Sequence, residues 1–468
     1  MRKSTFENFS YGLAGRLLSQ TLSFALMIYL ARTLGPSEYG SLSLVVAIVG
    51  YFNILATLGL QVEGVREIAR GQNDLQKSAS LIFSLRIFLA ICSYFLLLIY
   101  AYAFFFYSDL RMFNLLILYG LSLLSAAFFL DWYFVGREEL HSLTKATLLG
   151  SLLSSLLTLS LVKGAEDIYL IPSLAFLGSL ISCVYLMKIF LVRQHLEIRF
   201  EFKRFYHLLV VSMPFALSTA INQIHDNMDK ILLGYFWGPT EVGYYSVAYR
   251  IVIVFSGLVG VYSQSTFSAM IRLNETDKTG ALDFLQKNIH VMLYIMIPVV
   301  IGGTIMAPSI VIGFFGEKYA ESVMPFILLL YYLFFMAFSI TFANFLLSIK
   351  EDKQYVKILL CGAVVNTIAN LAFIPGWKAS GAAAAMIGTE LIVFVYLFFL
   401  VRRAPIRGWI DKKFLFISLG SSSIMGAACY WLQQSLGLHV IIVLFCGSVI
   451  YFGLSGPYCI QYFKKALT

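Results

Sequence analysis

Between Ser218 and Pro239 the chain reads STAINQIHDNMDKILLGYFWGP, and Asn222, Gln223, His225, Asp226, Asn227, Asp229 and Lys230 fall within a single short run. Two carboxylates, an ammonium and three amides supply hydrogen-bond donors, acceptors and charges of both signs. That chemistry suits the binding of a polar solute or a hard cation. At 100° per residue Asp226, Lys230, Gln223 and Asn227 share one face of a helix, while Ile221, Ile224, Met228, Ile231 and Leu232 fill the other. Placed in lipid, each charge costs about 2.5–3.5 kcal/mol, and each Leu, Ile, Val or Phe returns only about 0.3–0.6 kcal/mol. A span built this way is marginal alone and needs partners or water. Asp226 and Lys230 stand i,i+4 in the favourable order and are expected to pair, which leaves Asp229 in search of a cation.

Four bases lie inside apolar segments: Arg16, Arg86, Lys230 and Arg250. Arg16 and Arg86 sit about two turns in from one face of the membrane, Lys230 and Arg250 about as far from the other. Such tiers can guide a concentrated negative charge, which Arg grips in bidentate fashion, with Asn222 and Gln223 as polar neighbours. Snorkelling of the same side chains to the interface is the competing reading. A second constellation joins Asp226 or Asp229 to Asn366 and Asn370, spaced i,i+4, and to Thr389 or Glu390. Together they form an oxygen set for Na⁺ or H⁺, and not for a soft metal. Glu390 held protonated, and the two Asn bonded to a neighbouring helix, would account for these residues structurally. Ser151, Ser154, Ser155 and Thr158 follow i,i+3,i+4,i+7 and read as a helix-packing seam.

The elements that must position these groups are membrane helices. Of the 468 residues 59% are hydrophobic and 13% charged, against about 25% charged in soluble domains. Fourteen apolar stretches long enough to span are present, and Lys and Arg test the count. With the N-terminus inside, 25 of the 34 basic residues fall on inner segments, and five, Arg32, Arg111, Lys163, Lys318 and Lys378, fall on outer loops. Treating Ser218–Lys230 as a loop would remove a span and scramble this asymmetry. The first residues lack a signal-peptide core and cleavage site, so the N-terminus is expected to stay cytosolic, and from the basic bias both termini and the Gln194–Lys203 loop are expected to be cytosolic. The net charge of +9 is read as this orientation signal and not as affinity for nucleic acid. The six Cys lie in apolar runs with no ligand-like spacing, so neither metal nor disulfide is expected.

The turn after the first span, GPSEYGSLS from Gly35, recurs after the seventh as GPTEVGYYS from Gly238, and the same offset pairs Gln20 with Gln223. Gly ends one helix, Pro turns the chain, Ser or Thr caps the next helix, and Glu suits its first turn. Both copies follow an odd-numbered span, so the repeat is parallel. The expected architecture is all-α and polytopic, with two six-helix bundles, 1–195 and 205–403, and an extra pair at 412–468. Parallel repeats of this kind commonly carry a site between their bundles.

The six-plus-six-plus-two plan, with LGPSEYG, GLQVEGVREIARG and DNMDKILLGYFWGPTEVGYYSVAYRI, resembles the polysaccharide-biosynthesis flippases. These are the O-antigen and related lipid-linked oligosaccharide translocases of the multidrug/oligosaccharidyl-lipid/polysaccharide exporter superfamily. The extra pair leaves open a closer likeness to its fourteen-span branch, which includes lipid II flippases. The resemblance implies translocation of a polyprenyl-pyrophosphate-linked repeat unit from the inner to the outer leaflet of a bacterial inner membrane, by alternating access and without a cofactor. It also implies work alongside a polysaccharide polymerase and a chain-length regulator. A drug exporter of the same superfamily is the nearest alternative. A polymerase or ligase fits less well, because the outer loops are short and no nucleophile–base pair, metal cluster or phosphate-binding glycine loop is found.

Overall fold

A computed structural model describes residues 3–70, 75–193, 201–402 and 409–465, with side chains from Gln20 onward apart from a few at segment ends. Helices make up nearly all of it, and there is no strand among the described residues. By contacts the chain divides into two compact units, residues 1–231 and 232–468.

The first unit holds α1 (Lys3–Thr57), α2 (Leu60–Ala69), α3 (Leu75–Phe105), α4 (Leu110–Phe128), α5 (Asp131–Gly136), α6 (Leu140–Leu161) and α7 (Leu170–Arg193). α8 (Phe202–Trp237) contributes its residues as far as Ile231. The second unit holds the end of α8 and then α9 (Pro239–Thr276), α10 (Lys278–Ile305), α11 (Ala307–Phe315) and α12 (Val323–Ser348). It closes with α13 (Asp352–Val401), α14 (Lys412–Leu436) and α15 (Val440–Lys465). Among the described residues twelve helices are long and apolar enough to cross a membrane. Two are too long to cross once. At about 1.5 Å per residue, the 55 residues of α1 and the 50 of α13 each exceed twice a 30 Å hydrocarbon core. α1 breaks at Gly35 and α13 at Lys378, where the backbone leaves helical angles. Each therefore supplies two crossings, which gives the fourteen expected.

The duplicated turn has one backbone conformation. Gly35 has φ 77° and ψ 174°, and Gly238 φ 79° and ψ −177°, a region open essentially to glycine alone. Pro36 and Pro239 then start the next helix, where a missing N–H is harmless. The Glu of each copy takes a base: Glu38 pairs with Arg111, and Glu241 lies 3.3 Å from Lys378.

Three expected spans end earlier than their apolar runs. α1 stops at Thr57, α4 at Phe128 and α10 at Ile305, and the short helices α2, α5 and α11 continue each run. At the first of these breaks the backbone of α8 comes so close to Gly59 that an added Cβ would sit 2.6 Å from the Ser212 carbonyl oxygen. α2 then buries Leu60, Glu63, Gly64 and Ile68, with the Trp132 ring of α5 lying over Gly64. The small residues of α6 do pack: Ser155 and Thr158 are buried, Gly150 meets Gly178 of α7, and Ser182 Oγ donates to the Ala146 carbonyl at 2.9 Å.

Candidate functional site

The polar run of α8 lies, through Ile231, within the first unit. Gln223 donates from Nε2 to the Ala47 carbonyl of α1 at 3.5 Å, and its amide fills the space that a side chain at Gly50 would need. Asp229 is only 2% exposed, and its Oδ1 accepts the Lys230 N–H at 3.1 Å. Lys230 Nζ donates to Asn227 Oδ1 at 2.8 Å and to the main-chain carbonyl of Asp226 at 3.5 Å. Asn222 and the Asp226 side chain are exposed. Across from them on α1 stands Tyr51, within electrostatic reach of Asp229 and Asp226. Its hydroxyl is buried and has no hydrogen-bond partner among the described residues. The sequence placed oily residues opposite the polar ones, and the structure adds a phenol and a tight glycine contact to that face.

Arg86 of α3 is buried and committed. Its Nη1 lies 3.4 Å from Asp131, and its Nη2 donates to the Ala126 carbonyl at 2.7 Å. Asp131 also accepts Gln61 Nε2 at 2.6 Å. The guanidinium thus satisfies a carbonyl left open where α4 ends, and Asp131 puts its charge in the first turn of α5, where the helix dipole favours it. Arg250 of α9 is exposed. Arg16 lies on α1, but its side chain falls outside the described residues, as does most of the Gln194–Lys203 loop.

In the second unit the two limbs of α13 bring together Asn366, Asn370 and Thr389. Asn370 Nδ2 donates to Asn366 Oδ1 at 3.0 Å, Asn366 Nδ2 to Thr389 Oγ1 at 3.5 Å, and Thr389 Oγ1 to the Ala385 carbonyl at 2.8 Å. All three are buried, with Glu390 at 7% exposure beside Thr389 in sequence. The Asn370 Oδ1 atom is buried and accepts no hydrogen bond among the described residues. An unsatisfied buried amide oxygen in a network of two amides and a hydroxyl is chemistry for a small hard cation or a proton. Among the described residues no three of His, Cys, Asp and Glu cluster as a metal site.

Residues 5–274 match the family described as polysaccharide biosynthesis protein. The chain belongs to that family. The matched residues include both copies of the Gly–Pro turn and the whole polar run of α8. A relative from Shigella dysenteriae, provisionally named an O-antigen transporter, is 23% identical over 387 residues, covering 80% of this chain and 94% of its own length. Among solved structures, the lipid II flippase MurJ in its inward closed conformation has a similar fold. The TM-score is 0.71 at 16% identity, over 97% of this chain and 99% of that one. A multidrug resistance MATE family transporter of the MOP superfamily, inward-facing, is similar at a TM-score of 0.65 and 16% identity, over 82% and 94%.

Two members of the polar network of this family chain escaped the sequence reading. Asp131 sits inside the apolar run FNLLILYGLSLLSAAFFLDWYFVG, and an acid in such a run is itself a signal. Tyr51 carries no such signal, because phenols are common in membrane helices and only the fold brings this one to Asp229.

Proposed function

We propose that the chain carries lipid-linked oligosaccharide units of a bacterial surface polysaccharide, of the O-antigen class, from the inner to the outer leaflet of the cytoplasmic membrane. The observation that carries this reading is the alignment with a relative named an O-antigen transporter over 94% of that relative's length. The MurJ-like fold, which extends over 97% of the chain, supports it. The membrane is the bacterial inner membrane, with both termini cytosolic, and transport runs by alternating access of bundles 1–195 and 205–403, with 412–468 as an appended pair. Arg16, Lys230 and Arg250 contact the pyrophosphate during passage, and Asn222 and Gln223 offer hydrogen bonds beside it. Arg86, tied to Asp131 and Ala126, positions the α4–α5 break, its charge balanced by the Asp131 carboxylate. The chain passes its product to a polysaccharide polymerase and a chain-length regulator.

The cycle is driven by Na⁺ or H⁺, taken up in the first unit at Asp226 or Asp229 and in the second at the Asn366, Asn370, Thr389 and Glu390 oxygens. Coupling requires tighter ion binding in one state of the transporter than in the other. A cation-coupled drug exporter is the second reading, favoured by the fold likeness to the MATE transporter.

Two assays separate these readings. In a strain lacking its own flippase, the chain should restore surface glycan, and Arg250→Ala with Lys230→Ala should reduce display at equal protein level. In proteoliposomes a sodium or proton gradient should stimulate transfer of lipid-linked sugar, and Asp229→Asn or Glu390→Gln should abolish the dependence on the corresponding ion. Ion-driven efflux of cationic dyes without any glycan display would favour the exporter and sink the flippase reading.

A further inference from the structure

Among the buried titratable groups of the second unit, His290 of α10 takes no part in the proposed transport path. It is fully buried where α10 meets both helices of the C-terminal pair. Its Nδ1 lies 2.8 Å from the Gln286 carbonyl oxygen, one turn back on the same helix. A carbonyl can only accept, so Nδ1 carries a proton. Its Nε2 receives the main-chain N–H of Asp411 at 3.0 Å. An amide N–H can only donate, so Nε2 carries none. The two partners fix a single neutral tautomer. The Tyr462 hydroxyl of α15 stands 3.3 Å from the same Nε2. The imidazole also packs edge-on against Phe414 of α14, with ring centres 4.9 Å apart, and tilted on Tyr462 at 5.1 Å.

We infer that His290 is a proton-sensitive clasp, which holds the N-terminal turn of α14 and the last turns of α15 to α10 while it is neutral and releases them when it is protonated. A proton on Nε2 would point at the Asp411 N–H and remove the only acceptor that bond has. Docking and protonation therefore exclude one another at this atom.

The charged and titratable surroundings allow this. From α14, the Asp411 carboxylate turns to its own helix and accepts the Lys413 and Phe414 N–H groups at 2.8 and 3.2 Å. Lys413 Nζ lies 5.1 Å over the Tyr458 ring. From α15 come Tyr458, Cys459 and Tyr462, and from α10 itself Lys287. From α9 comes Tyr262, bonded to Asn288. α12 carries no acid, Lys, Arg or His along Val323–Ser348. Among the described residues Asp411 is the carboxylate that acts on this imidazole, and its Oδ1 is already engaged as the cap of α14.

Release at this end would be local, since the rest of the pair is fastened independently. Tyr451 donates to the Tyr294 carbonyl at 2.7 Å, Tyr294 and Ser455 hydroxyls lie 3.1 Å apart, and Met425 fills the space at Gly302. Protons bind the released imidazole, so the clasp holds above about pH 6.5, the ordinary value of histidine, and loosens below it.

Cys459, 1% exposed and one turn before Tyr462, reports the opening. In full-length protein in nanodiscs, its alkylation by iodoacetamide is followed by peptide mass spectrometry from pH 7.5 to 5.5. Each rate is divided by that of glutathione at the same pH, to remove the change in thiolate fraction. The corrected rate should rise at least about fivefold on acidification, and His290→Gln, whose amide oxygen can accept the Asp411 N–H without titrating, should hold it flat. A corrected rate in the unsubstituted protein that does not change with pH would overturn the clasp, as would an equal rise in His290→Gln. If His290→Gln does not fold, the pH series of the unsubstituted protein decides alone. The readout is independent of transport, so it stands or falls apart from the flippase reading.

Discussion

Alanine at Gly35 and at Gly238 is expected to destabilise the protein through the backbone alone. Both glycines hold φ near 78° with ψ near 180°, at 77°, 174° and at 79°, −177°. A Cβ is tolerated poorly there, and residues forced into such regions carry about 1–3 kcal/mol of strain. Packing adds nothing to this, because a Cβ built at either position meets no atom within 4 Å. Gly260 and Gly388 are the matched controls. They lie inside α9 and α13, are equally open, and have helical backbone, so alanine there should stabilise by about 0.8–1 kcal/mol. Four substitutions with identical chemistry and no clash should thus split by sign. Thermal or denaturant unfolding of detergent-purified protein, read by size-exclusion chromatography, measures them. If Gly35→Ala and Gly238→Ala raise stability as the controls do, the duplicated turn does not have this conformation and the argument from the repeat fails.

Arg86→Ala should be severely destabilising, about 3–5 kcal/mol, because it strands the Asp131 carboxylate and the Ala126 carbonyl. Pairing it with Asp131→Asn should recover much of the yield of monodisperse protein. Gly178→Ala would place a Cβ 2.6 Å from the Gly150 carbonyl oxygen and 2.7 Å from Ser154 Cβ, and forcing α6 from α7 should cost about 1–3 kcal/mol in the same unfolding assay. Asp277 lies between α9 and α10, where bonds from the Thr279 hydroxyl and from the Gly280 and Thr279 N–H groups hold its carboxyl below the usual carboxylate range. Its capping of α10 is therefore complete above pH 4 or so and is lost as pH falls through the lowered value. Amide exchange at Thr279 and Gly280, corrected for intrinsic rates, should accelerate only in that acid range.

Alternation of apolar runs with basic clusters made the helices and their number legible, because burial in lipid and the sidedness of charge act residue by residue on the sequence. The breaks inside α1 and α13 show the limit of that signal. Gly35 announces itself through the Gly–Pro pair and its copy at Gly238. Lys378, with φ 53°, does not, since lysine has no preference for such a backbone. What holds it is tertiary: the Glu241 carboxylate at 3.3 Å and the Trp237 ring at 4.9 Å from Nζ, with Trp237 Nε1 bonded to the Ile374 carbonyl at 3.0 Å. The candidate sites divide in the same way. Asn366 and Asn370 share a face by their spacing, and the structure finds them bonded to one another. Arg86 looked free for an anion because its partner, Asp131, is 45 residues away on another helix. Spacing on one helix records which groups share a face. Which of them already has a partner depends on the neighbouring helix, and sequence distance does not limit that choice. An intramembrane charge is therefore better evidence that a partner exists than of what the partner is: the acid at Asp131 is legible in the sequence and its partner Arg86 is not, while Tyr51 gains meaning only because α1 holds it within electrostatic reach of Asp229 on α8.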